Sequence, residues 1–183
     1  MALPTRDDVI TAMRLTDQAP GVSVLQHCRS VYSWYLALVD HLHGDPVPNA
    51  PGVRLPSWIK DPRVRDGQLP HEVVSEYLLY HDCGKPRCLV FDDEGKQHFP
   101  DHTAHSVITW VEMRIGERMS NNEQWDLDAE DVQVAKLIKM DMDAHRLTSE
   151  QIPEFAERPE AMTLLLAAVA EVHANALMFG GFD

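Results

Sequence analysis

The stretch "EYLLYHDCGKPRC", Glu76 to Cys88, places His81 and Asp82 side by side where an apolar helical run stops, with the cation Lys85 three residues after Asp82. Imidazole and carboxylate are ligands for divalent transition metals, and a lysine beside them can meet an anion. Other residues of the same types lie far away in sequence. His27 is in line with Val24, Val31, Trp34 and Leu38, an apolar setting, and Glu171 interrupts "LLLAAVAEVHANAL". Asp141 stands at helical spacing from Val134 and Ile138. An ionised carboxylate loses several kcal/mol when taken out of water unpaired, so a buried Asp141 or Glu171 needs a metal, an arginine or a histidine. His102 opens a helix after "HFPD", and His105 lies one turn further on the same face.

Each candidate has a plainer reading. His27 alone is a core histidine with its hydrogen bonds satisfied, and the His81-Asp82 pair alone is a helix end followed by a turn. Glu171 pairs with one of the scattered arginines, Asp141 is a helix-end carboxylate facing water, and a histidine in a first turn is a surface residue. His145 and His173, near Asp141 and Glu171 in sequence, are placed to hold a ligand or a phosphate. His41, His43, His71 and His98 border loops or a hairpin and read as solvated.

The elements that must carry these residues are mostly helical. Apolar residues recur at helical spacing over about 22 to 43, over the run into His81, over 102 to 119, around Val134 to Asp141, and through "AMTLLLAAVAEVHANALMF". Between the first two helices lies a proline-rich segment, about 44 to 70, too irregular for a helix or a central strand and of the length that lids and binding loops have. There Lys60, Arg63 and Arg65 lie near Trp58, which reads either as a nucleotide-binding lid or as a solvated loop with incidental charges. β-rich flanks around Asp93-Glu94-Gly95 predict one small hairpin. The expected fold is an all-α bundle with that hairpin, in one domain over residues 1 to 183.

Composition narrows the function classes. The formal net charge of −13 argues against a protein that holds nucleic acid by generalised attraction to phosphates, and an anionic substrate then needs a local cation. Three cysteines cannot all pair, and no apolar run approaches the roughly 20 residues needed to cross a bilayer. The reading is a cytoplasmic protein with reduced thiols, without a membrane partner.

In their order along the chain, His27, the His81-Asp82 pair and a late acidic residue resemble the HD superfamily of metal-dependent phosphohydrolases. The nearer likeness is to the HD domain of bacterial CCA-adding enzymes, through "HDCGKP", "VFDDEGKQHF" and "HFPDH", and it spans about residues 22 to 178. The resemblance implies an HD-type helical bundle in which His27, His81, Asp82 and Glu171 form a first metal site. His102 and Asp141 would complete or bridge to a second metal, with Asp82 as the bridge. Two departures stand out: the late ligand, usually aspartate, is Glu171, and Asp141 stands where relatives with a fuller set place a histidine. One or two ions of Mn, Fe, Co, Ni or Zn suit such ligands better than Ca.

The implied activity is hydrolysis of a phosphomonoester or phosphodiester in a nucleotide or another small phosphorylated substrate, 2',3'-cyclic phosphates and signalling nucleotides included. Asp82 would accept a proton from water, Lys85 would stabilise charge on phosphorus, and His102 or His105 would serve the leaving oxygen. The alternatives are a dNTP triphosphohydrolase of the same superfamily, an oxygenase on an HD-type di-iron site, and a catalytically inactive HD domain that binds a nucleotide or a partner protein.

Overall fold

A computed structural model describes residues 3–46, 53, 55–121 and 125–178. Residues 47–52 and 54 of the proline-rich segment, and Phe179 at the end of the fifth expected helix, lie outside the described residues. The chain forms an α-helical bundle with two small antiparallel strand pairs, one more than expected. No helix among the described residues is long and apolar enough to cross a membrane.

Helix α1, Arg6–Leu15, starts at a capping box in which Thr5 and Asp8 satisfy each other's backbone N–H groups. Strands β1, Asp17–Ala19, and β2, Val22–Ser23, then turn back on each other around Gly21, whose φ of 78° suits a residue without a side chain. Ser23 and Gln26 form a second capping box and launch α2, Val24–Leu42. Buried Val24, His27, Val31, Trp34 and Leu38 follow one another at intervals of three and four, so a single face of α2 carries His27 into the core.

The proline-rich segment contains more order than its composition suggests. Ser57–Lys60 form a single 3-10 turn and Pro62–Asp66 a short helix, α3. The Asp61 side chain caps the Arg63 N–H, and Pro62 at the first helical position brings a preset φ, so prolines here begin a helix rather than forbid one. Arg63 and Arg65 are engaged by Asp61 and Asp66 at the surface, which agrees with the solvated reading of those charges.

Helix α4, His71–Tyr80, ends at His81, and a tight turn leads into α5, Lys85–Cys88. The hairpin of β3, Val90–Phe91, and β4, Gln97–His98, precedes α6, His102–Ser120. Helix α7, Ala129–Met140, is capped by Asp128 and ends at Asp141; α8 spans Ile152–Ala156 and α9 Ala161–Met178. Helix α2 lies between α9 and α4, and α7 packs on both α4 and α6. Helix α9 packs on α2 and buries the small side chains Ala167, Ala170 and Ala174.

Candidate metal centre

Five helices or helix ends point polar side chains at one buried spot. His27 comes from the middle of α2, His81 and Asp82 from the end of α4, His102 from the first turn of α6, Asp141 from the end of α7 and Glu171 from α9. The His27 and His81 ring centroids are 5.5 Å apart. Nε2 of His27 lies 3.5 Å from Asp82 Oδ2 and 3.9 Å from Glu171 Oε1; Nε2 of His81 lies 3.4 Å from Asp82 Oδ2. His102 Nε2 faces the other Asp82 oxygen, Oδ1, at 3.7 Å. His27, His81 and Asp82 are each at most 1% exposed.

The turn that places the pair depends on Gly84. A Cβ there would lie 2.1 Å from the Ser106 nitrogen and 2.2 Å from the His105 carbonyl carbon, so the α4–α5 turn rests directly on the α6 backbone. The Gly84 N–H donates to Ser106 Oγ, which is itself fully buried. That contact sets the distance from Asp82 to His102. His105 lends its backbone to it; its side chain makes no hydrogen bond or ion pair among the described residues.

Hydrogen bonds from outside the cluster orient its members. His81 Nδ1 donates to the Leu78 carbonyl, which leaves Nε2 facing the cavity. Glu171 Oε2 is held by His145 Nε2 at 2.7 Å, and Asp141 Oδ1 accepts from the Tyr77 hydroxyl at 2.7 Å. Asp141 is buried rather than facing water, and Glu171 is paired with a histidine rather than an arginine. Lys85, 7% exposed, donates to Asp82 Oδ2 at 2.7 Å and to Gln18 Oε1 of β1 at 2.9 Å. Gln18, Tyr77 and Cys28 had no signal among the sequence candidates. Cys28 joins His81 and Asp82 in a group of potential ligand atoms within 4.8 Å of one another, as His27, His81 and Glu171 do.

Electrostatics suit a cation at this spot. Burial pushes the His27 imidazole down to about 4, so at neutral pH it presents a lone pair. Burial also works against a charged His81, but the Cys28 sulfur and the Asp82 and Asp141 carboxylates outweigh it and favour a positive charge on or beside the ring. Burial opposes the Asp82 carboxylate too; Lys85 and His81 nevertheless keep it well below the usual carboxylate range. Asp141 is raised by burial and by the charge on Glu171. Asp82, Asp141 and Glu171 thus face Lys85 and the imidazoles of His81 and His145, whose protonation these carboxyl groups favour, and a divalent ion could stand in for such protons.

No protein-family model matches this chain, and no curated protein or solved structure matches it significantly. Whether the residues fit a metal therefore rests on the geometry. Both nitrogens of His27 and Nε2 of His81 are buried without a hydrogen-bond partner. A buried polar atom left so costs about 1–3 kcal/mol, which a folded chain seldom carries without a use. The separations of 3.4 to 3.9 Å are long for hydrogen bonds. They are near the roughly 3–3.5 Å between neighbouring ligands of an ion held at about 2.0–2.2 Å. The donor set fits a borderline transition metal.

Proposed function

We propose that this protein is an HD-type metal-dependent phosphohydrolase acting on a nucleotide or another small phosphorylated substrate. The observation that carries the reading is the pair of buried imidazoles, His27 and His81, whose unpartnered Nε2 atoms both face Asp82, that of His27 facing Glu171 as well.

In this reading His27, His81, Asp82 and Glu171 hold the ion, with His102 and Asp141 as the residues nearest a second one. When bound, a divalent transition metal lowers the pKa of water and neutralises phosphate oxygens. The protein's own residues supply the rest. His145 fixes Glu171, and the Leu78 carbonyl fixes the His81 ring. Lys85 holds Asp82 in one orientation and contributes the positive charge that a phosphate approaching an acidic protein requires. Asp82 is the nearby carboxylate able to take a proton from water. His102, with a side chain 21% exposed, stands at the edge of the cluster where a leaving oxygen would need a proton.

The close Lys85–Asp82 ion pair favours a second reading, an HD domain that binds a nucleotide without turnover, because a carboxylate so held is a poor base. Metal analysis of the purified protein and phosphate release from a panel of nucleotides, with and without Mn, separate the two. The expected result is bound transition metal, Mn-dependent release, and a fall of at least about 100-fold in His81→Ala and Asp82→Ala with the helical CD signal unchanged. Metal without turnover on any phosphorylated compound favours binding alone.

A further inference from the structure

We propose that the apolar cavity sharing His145 with the metal cluster receives the base of a nucleotide, with Trp58 as its stacking surface. The inference builds on the phosphohydrolase reading, which places the phosphate at the cluster.

The cavity, roughly 290 Å³, is lined chiefly by Pro56, Trp58, His145, Leu165, Val169 and Val172. Among the described residues, no Lys, Arg, Asp or Glu lines it. One helix builds both sites: α9 gives Glu171 to the cluster and Leu165, Val169 and Val172 to the cavity wall. The bridging contact is the 2.7 Å hydrogen bond between His145, in that wall, and Glu171, whose other oxygen faces His27. A group seated in the cavity is therefore one residue pair away from the ligand cluster.

Its chemistry selects a flat, uncharged ring. Trp58 and Val172 are 38% and 56% exposed, and both flank this hollow, so large apolar surface is left in water where a ligand could cover it. The lining combines the Trp58 indole, an aromatic ring able to stack on a base, with the aliphatic side chains of Leu165, Val169 and Val172 on α9. Among the described lining residues only the imidazoles of His145 and His173 could meet a phosphate or a sugar, and His145 Nε2 is already held by Glu171. A base stacks with any sequence and gains by leaving water, which compensates for the repulsion of an anion by a chain of net charge −13. The hollow near Lys60, Arg65 and His41 carries charge and shares no residue with the cluster, so it lacks the direct link that His145 gives this cavity.

Calorimetric titration tests the assignment in chelator-treated and in Mn-loaded protein. The ligands are the isomeric adenosine monophosphates and ribose 5-phosphate, and the proteins are wild type, Trp58→Ala, Trp58→Phe and Val172→Asp. At least one adenosine monophosphate should bind about tenfold or more tightly than ribose 5-phosphate. Trp58→Ala and Val172→Asp should remove that preference, and Trp58→Phe should restore most of it. Equal binding of all ligands to the wild type, or a preference that survives in Trp58→Ala, overturns the proposal. Phosphate release without base preference would sink the base pocket and leave the hydrolase standing. Base preference in a protein that hydrolyses no phosphate would do the reverse.

Discussion

His27 combines full burial with an unmet capacity for hydrogen bonds. It is fully buried on the core face of α2, and neither ring nitrogen has a partner. Leucine at this position would avoid the desolvation of two polar atoms while keeping much of the side-chain volume. His27→Leu should therefore leave the chelator-treated protein as stable as wild type, or more stable by about 1–2 kcal/mol, and should abolish the stabilisation produced by metal. Thermal melts in chelator and in Mn check both halves. A loss of several kcal/mol in chelator would mean that the ring holds the apo core together. The candidate residues differed in how far sequence revealed them. His81 and Asp82 declare themselves by standing at the end of an apolar stripe, and His27 by sitting within one. Cys28 looked like one more small apolar residue, because a buried thiol follows the same periodicity whether or not a cluster lies beside it. His102 and His105 are one helical turn apart and share the expected leaving-oxygen role, with His102 alone expected at a metal; the structure has His102 Nε2 facing Asp82 and the His105 backbone under the Gly84 turn.

At the scale of elements, ion pairs determine how the outer helices dock. Arg6 on α1 reaches Glu76 of α4 at 3.1 Å and Glu117 of α6 at 2.6 Å, and Arg114 also grips Glu117. Burial pushes the Glu117 carboxyl up, but the two guanidiniums win and hold it below its ordinary value of 4.5. A carboxyl lowered in the folded state contributes stability that is fully present above its unfolded pKa and is lost as pH falls through the folded one. The unfolded chain takes up that proton first. Glu117→Gln should thus lower stability by about 1 kcal/mol at pH 7, a modest value because the side chains are partly exposed, and the gap should close as pH falls from about 4.5 downward. Urea melts of both proteins between pH 7 and pH 3 measure it; a gap independent of pH would mean that shape rather than charge docks α1. Long helices were legible because their apolar stripes run for many turns: α2 and α6 begin and end within two residues of the expected limits. Helix α1 and the β1–β2 pair were passed over, and the helical turns within the proline-rich segment were ruled out. Helix α1, ten residues long, buries only Val9 and Met13, too few positions to mark a stripe, whereas elements of two to five residues are too short to show a period and their prolines and glycines read as breakers unless the caps are known.

Across the whole molecule, a strongly acidic chain concentrates imidazoles, carboxylates and one buried lysine where α2, α4, α6, α7 and α9 meet. A ligand bound by the folded state alone stabilises it by mass action, by about 2.7 kcal/mol at a hundred times its dissociation constant. Mn or Zn at such concentrations should raise the melting temperature of chelator-treated protein, whereas Ca, which favours an all-oxygen shell, should raise it far less. Differential scanning calorimetry decides the matter, and an equal rise with Ca would argue for screening of the net charge rather than for the cluster. The helical class and the long elements were legible in the linear chain, because helix formation and amphipathic burial act over neighbours three and four positions apart. Tertiary structure alone decided that Gln18 meets Lys85, that Tyr77 holds Asp141, that His145 holds Glu171 and that Trp58 shares a cavity with α9. Those pairings cross 26 to more than 60 residues of chain, and nothing local encodes them. They arise when helices close around a common core and bring together side chains with no other reason to be neighbours.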